Sequence, residues 1–334
     1  MKNKFWYEYL KATKLNDGDT LPTCSGNYIL SNGILRQRDI YTESQAQTKD
    51  TFGFKWHKRD TYESEAMKIA TKAWLHERYL NNNEELLRKY VTLGAKVLDA
   101  GCGSSVSALI FFKDILKDIN YLGIDISNAV DVAKQRFTEA GVTGEFIQSD
   151  LNKIPFDRPA FDVIFSEGVL HHTDSTERSF KYLSNFLLTN GYFMFYVYRQ
   201  KGPVREFTDD YIREKISNLT DEEAWNALRP LTKLGKTLGD LNIEVNIQET
   251  IDCLGIPAGK IDLQRLFYWH FFKAYYRPEM NIEEMNHTNF DWYRPQNCHR
   301  HTEDEILKWC RDVGLIIEHM NVQESGITVV AKKV

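Results

Sequence analysis

Five short apolar runs, at 96–100, 121–126, 145–149, 161–166 and 192–198, alternate with stretches of helix length. Each run is rich in Val, Ile, Phe and Tyr, the pattern of a strand buried on both faces. Strand and helix repeated in this way require a parallel sheet with right-handed crossovers. The tail adds to it. Thr302-Glu303-Asp304-Glu305 is a capping box that opens a helix at about 303–313, and Gly314 is its stop. Runs at 316–322 and 327–332 follow, joined by the turn 323–326, too short for anything but an antiparallel pair. The expectation is an α/β fold: a doubly wound, mostly parallel seven-stranded sheet ending in an antiparallel hairpin.

Two regions lie outside this rhythm. Residues 1–95 begin without clear period, then show helix-like stretches near 64–80 and 82–92. Within them 27–34 predicts a small hairpin turning at Asn32-Gly33. Residues 201–300 carry 13 basic and 16 acidic side chains, look helical, and hold an aromatic cluster from Phe267 to Tyr276. A structureless loop of that length is improbable, so an inserted helical subdomain is expected. The division is thus 1–95 as an arm over the ligand cleft, 96–200 with 301–334 as the core, and 201–300 as a substrate-recognition insert.

Charge narrows the partners. The net charge of −5, and the local excess of acid in 201–300, offer no cationic track for nucleic acid or an anionic membrane. No stretch approaches the roughly 20 apolar residues of a spanning helix. The start, MKNKFWYEYLK, lacks the apolar segment of a signal peptide. The five cysteines, at 24, 102, 253, 298 and 310, show no CxxC spacing, which argues against a disulfide framework or a zinc ribbon and for a cytoplasmic setting.

The most informative segment is Val97-Leu98-Asp99-Ala100-Gly101-Cys102-Gly103, between a strand and a helix. Its glycines permit a sharp turn and close approach to a ligand. A dinucleotide site would carry a third glycine where Val106 stands, and Asp99 is a poor neighbour for a pyrophosphate. A cationic ligand suits it better. Asp125, with Ile126 after it, ends the second strand and can accept from two ribose hydroxyls. Asp150 and Leu151 end the third, where Asp150 can accept from an adenine amino group. Ser166 and Glu167 end the fourth, followed by Leu170-His171-His172-Thr173. Polar groups therefore gather at the carboxyl edge of the sheet, where open α/β sheets bind ligands.

In their order and spacing, DAGCG, GIDIS, QSDL and FDVIFSEGVLHHTD resemble the class I S-adenosylmethionine-dependent methyltransferases, in particular the small-molecule group with a "vLHH" segment. The resemblance covers about 96–200 and returns at 302–332. It implies that Asp99, Gly101 and Gly103 line the methionine end of the cofactor. Asp125 would hold the ribose and Asp150 the adenine edge, with Ile126 and Leu151 also on the cofactor, and Ser166 and Glu167 would sit near the sulfonium. A helix cap or a solvated carboxylate remains the alternative for each acid. Thr51-Phe52-Gly53-Phe54-Lys55-Trp56 resembles an FGxxW element of some glycan- and natural-product-associated methyltransferases, so Phe52 and Trp56 either cap the cofactor or pack the arm on the core.

A hydroxyl acceptor needs a general base. His171 and His172 follow the fourth strand, and a histidine has suitable basicity. His301 is a third candidate, in the run 286–301 that is expected to be a substrate-recognition loop. His299-x-His301 has no further ligands, so no metal is expected. The aromatic cluster either lines an acceptor pocket or forms core. The chain is expected to use S-adenosylmethionine to methylate a small molecule, with an oxygen on a sugar, glycan precursor or secondary metabolite as the first reading. Nitrogen or carbon methylation, a nicotinamide-dependent oxidoreductase and a non-catalytic cofactor binder are the alternatives. The oligomeric state is not legible.

Overall fold

The computed structural model describes residues 5–38 and 41–334; residues 1–4, part of the charged start, lie outside them. The strands are β1 (Thr20–Thr23), β2 (Gly26–Ser31), β3 (Ile34–Gln37), β4 (Lys96–Ala100), β5 (Asn120–Asp125), β6 (Glu145–Gln148), β7 (Phe161–Glu167), β8 (Leu187–Tyr198), β9 (Glu244–Ile247), β10 (Gly259–Asp262), β11 (Leu315–Val322) and β12 (Gly326–Lys333). Among the described residues ten of them form one sheet, in the order β1-β2-β3-β6-β5-β4-β7-β8-β12-β11. From β3 through β8 neighbours run parallel; β12 and β11 close the other side antiparallel, with a register shift between Ile317 and His319.

The seven expected strands are all present. The correction is that three more, β1 to β3, extend the sheet beyond β6. The hairpin at Asn32-Gly33 does form between β2 and β3, with Asn32 at φ 52° and Gly33 at φ 66°. What local sequence does not disclose is that β3 pairs with β6, through Leu35 and Arg36. Arg36 fixes the join with hydrogen bonds to Gln148 and Asp131.

Alternation along the central strands divides the core between the two faces. Val97, Val163 and Phe165 pack on one side with Phe111, Phe112 and Tyr79. Leu98, Ile164 and Phe193 pack on the other with Phe180 and Trp309. Helix Glu65–Leu80 lies on the first face, capped by Ser64; helices Thr176–Ser184 and Glu303–Asp312 lie on the second, the latter with the expected capping box. No helix among the described residues is long and apolar enough to cross a membrane.

Residues 201–300 hold four helices, Pro203–Ile216, Asp221–Asp240, Leu263–His270 and Ile282–Tyr293, and also the hairpin β9–β10, which a helical reading did not include. The last helix corrects a second expectation. Half of the supposed recognition loop 286–301 is helical. Its Asn, Thr and aromatic content disfavours helix, but a capping box at Asn281 and Glu284 starts it. Packing against helix Asp221–Asp240 completes it, with Thr232 bonded to Asn286 and Asn289.

Candidate active site

From β4 the chain builds β5 and β6 on one side and then returns to place β7 on the other, which opens a crevice at the carboxyl ends of these strands. Gly101 (φ 86°) and Gly103 (φ 50°) make the turn. A Cβ at Gly101 would collide with the Val169 side chain, and one at Gly103 would lie 2.6 Å from the Trp56 indole nitrogen. The missing side chains are therefore what lets the roof close on the turn.

Asp125 organises the rim. One of its oxygens accepts from the Gly103 N–H (2.9 Å), the other from the Ser127 N–H (2.8 Å) and hydroxyl (2.6 Å). Burial pushes its pKa up, and these donors oppose the rise. Asp125, Ile126, Asp150, Leu151, Glu167, Gly101 and Trp56 line the crevice together. Asp150 also caps the short turn after it by accepting from the Asn152 N–H at 2.8 Å. Glu167 is held by Arg78 and Tyr79, each at 2.6 Å.

Two expected lining residues face elsewhere. Asp99 is buried beneath the turn and accepts from Tyr121 at 2.6 Å, and burial pushes its pKa up to about 7. Ser166 points across the sheet and donates to the Ala100 carbonyl at 2.9 Å. Period-two alternation sends Ser166 into the core while Glu167 reaches the rim.

Helix Glu43–His57, capped by Thr42, roofs the crevice with Gln45, Thr48, Phe52, Lys55 and Trp56. Lys55 was not singled out in the sequence, although it sits inside the FGxxW element. Its ammonium lies over the Trp56 ring (4.0 Å) and pairs with Asp291, which also accepts from Tyr198 at 2.8 Å. Burial opposes the Asp291 charge, yet Lys55, His172 and Lys273 hold its carboxyl well below the usual range. From the expected recognition run 286–301, Asp291 alone lines the crevice. Tyr293 and Trp292 bond to buried Asp209, and Arg294 to Asp221.

A second cavity of about 540 Å³ adjoins the first, a volume suited to a small molecule. The two share Lys55, Trp74, Tyr196, Tyr198 and Asp291. The insert contributes Tyr268, Trp269 and Tyr275 to its wall, so part of the aromatic cluster lines a pocket.

The three histidines separate. His172 lies on the crevice wall; its Nδ1 bonds the Asn297 carbonyl at 2.7 Å, and its Nε2 has no partner. A carbonyl only accepts, so Nδ1 carries the proton and Nε2 the lone pair. Burial pushes its pKa down to about 4. His171 is stacked on Tyr198 (3.7 Å) behind the wall, with both ring nitrogens unpartnered and its pKa driven well down by burial. His301 is bonded to Thr176 at 2.9 Å and packed on Trp309, away from both cavities. The expectation of a base at His171 or His301 is thus corrected by their placement. His299 bonds the Thr173 carbonyl, and among the described residues no three His, Cys, Asp or Glu side chains are grouped to hold a metal.

The rim fits a cationic sulfur nucleoside: Asp125, Asp150 and Glu167 bring carboxylates to the crevice beside the glycine turn. The chain is similar to several known methyltransferases. The probable tRNA methyltransferase 9B of Bos taurus is 28% identical over 160 residues, 46% of this chain and 31% of that protein. The phthiotriol/phenolphthiotriol dimycocerosates methyltransferase of Mycobacterium leprae (strain TN) is 24% identical over 131 residues, 39% of this chain and 47% of that one. The chain thus spans less than half the length of these two curated relatives. Among solved structures, the magnesium protoporphyrin IX methyltransferase of Synechocystis PCC 6803 with bound S-adenosylhomocysteine overlaps 87% of this chain and all of its own, at 14% identity and a TM-score of 0.45. Residues 92–240 match the family model of a methyltransferase domain. That segment, which carries the glycine turn and the carboxylate rim, is a methyltransferase domain of the S-adenosylmethionine-dependent kind.

Proposed function

We propose that this protein transfers a methyl group from S-adenosylmethionine to a hydroxyl of a small molecule, a sugar, glycan precursor or secondary metabolite, in the cytoplasm. The carrying observation is that the cofactor crevice shares a wall with a second cavity of small-molecule size. In this reading residues 1–95 roof the cofactor, 96–200 and 301–334 bind it, and 201–300 hold the acceptor. Asp125 takes the ribose hydroxyls and Asp150 the adenine edge, while Glu167 faces the charged sulfur. The bound cofactor supplies an electrophilic methyl group. The chain's own residues align the acceptor oxygen, exclude water and take its proton. In this reading His172 Nε2, which has no hydrogen-bond partner, receives it.

The test is production of S-adenosylhomocysteine with paired hydroxyl, amine and activated-carbon acceptors, and with a tRNA transcript. Turnover on small hydroxyl acceptors is expected. Turnover only on tRNA, or calorimetric binding of NADH in place of S-adenosylmethionine, overturns the reading. A narrower test concerns the roof. Trp56→Ala should raise the cofactor Kd about tenfold, about 1.4 kcal/mol, while shifting Tm little. A variant that melts early yet binds cofactor normally would make Trp56 a packing residue only.

A further inference from the structure

The second cavity is strongly cationic, which the acidic total of the insert conceals. Lys55, Lys201, Arg205, Arg265, Lys273 and Arg277 line it, against Glu77 and Asp291. Lys55 is paired with Asp291 and Arg205 with Asp209. Among the described residues the other four cations make no ion pair. Arg265 donates to the Tyr276 carbonyl (3.1 Å) and Arg277 to the Tyr275 hydroxyl (3.0 Å). Lys201 donates to the carbonyls of Glu324 and Ser325. Lys273 is buried, with its ammonium 5.0 Å from the centre of the Trp292 ring. Unpaired cations gathered in a partly enclosed space carry a desolvation cost that an anion relieves. Trp269, Tyr268 and Tyr275 on the same wall offer flat apolar faces for a ring.

We propose that this cavity selects an acceptor that carries an anionic group, a carboxylate or a phosphate, on a ring-bearing body. The anion sits between Lys201 and Lys273, and the ring lies along the aromatic wall. The shared residues Tyr198 and Asp291 lead from there to the crevice, so the remainder of the acceptor points at the methyl donor. This rests on the methyl-transfer reading and specifies its substrate class. Burial pushes the Lys201 amine down to about 7 and the Lys273 amine down to about 8. Arg205, Asp209, Asp291 and Cys298 surround Lys273, and Arg205, Lys273, Glu206 and Glu324 surround Lys201. A bound anion favours the protonated amine in both.

Three probes test it by calorimetry on the full chain with S-adenosylhomocysteine: benzoate, phenyl phosphate and the neutral benzamide. At pH 7 at least one anion should bind ten or more times tighter than benzamide, and which one does so separates carboxylate from phosphate. The double variant Lys201→Met, Lys273→Met should lose that preference while keeping its affinity for S-adenosylhomocysteine within twofold. Should the variant not fold, a pH series on the unaltered protein decides. Anion affinity should drop at least fivefold from pH 7 to 9 as the amines lose their protons, with benzamide unchanged. Equal affinity for all three probes, a preference retained in the folded variant, or a flat anion pH series overturns the proposal. Failure of S-adenosylhomocysteine to bind would instead count against the methyl-transfer reading, and the probe titrations can be made without it.

Discussion

His172→Ala should cut kcat on a hydroxyl acceptor by about 10²–10⁴-fold, the usual contribution of a positioned general base. The Asn297 carbonyl fixes the ring's tautomer and leaves Nε2 as an acceptor. Because burial holds the group down to about 4, the imidazole is neutral throughout the physiological range. The rate of the unaltered protein should therefore be flat from pH 6 to 8 and fall only as pH drops toward about 4. A histidine at its ordinary pKa of about 6.5 would give a rising curve across that window. Added imidazole should restore part of the rate in His172→Ala, whereas a packing defect would not respond. An amine acceptor, which can lose its proton to solvent, should be affected far less. If His172→Ala retains full kcat on the hydroxyl acceptor, the base assignment is wrong.

The second large effect concerns stability. Asp99 is buried against Tyr121 with its pKa pushed up to about 7 by burial, with the Tyr121 hydrogen bond opposing the rise. In the unfolded chain it ionises near 3.9. Between those values the folded state binds more protons than the unfolded one, so stability falls as pH rises. At about 1.4 kcal/mol per unit, this one group costs on the order of 4 kcal/mol by the time pH exceeds 7. Asp99→Asn keeps an acceptor for Tyr121 and removes the titration. In urea unfolding the variant should gain on the parent as pH goes from 5 to 8. Parallel stability curves over that range would show that the buried carboxyl does not titrate there.

Which parts of this could be foreseen follows from the range of the signal. The central strands were legible because Val97-Leu98, Ile124 and Val163-Ile164-Phe165 are buried on both faces, which composition alone reveals. Asp125 and Glu167 were legible as strand-end acids beside a glycine turn. Ser166 and Asp99 were misplaced because one residue of register, or one rotation about a strand, separates a rim position from a core position. His301 drew notice by residue type, but the hydroxyl of Thr176, at the start of helix Thr176–Ser184, engages it. Lys55 and Asp291 are 236 residues apart, and no local pattern announces their pairing. The cationic cavity was hidden by averaging: a net charge summed over 201–300 cannot show that four unpaired cations converge on one hollow.

The two outermost strands have a consequence for association. β1 is four residues long and contains Pro22, which has no N–H to offer a neighbour. At the opposite margin, the irregularity between Ile317 and His319 interrupts β11, and Glu318 there is tied to Lys89. Neither margin presents an unbroken row of backbone donors and acceptors. Copies of this chain are thus discouraged from pairing edge to edge into a continuous sheet.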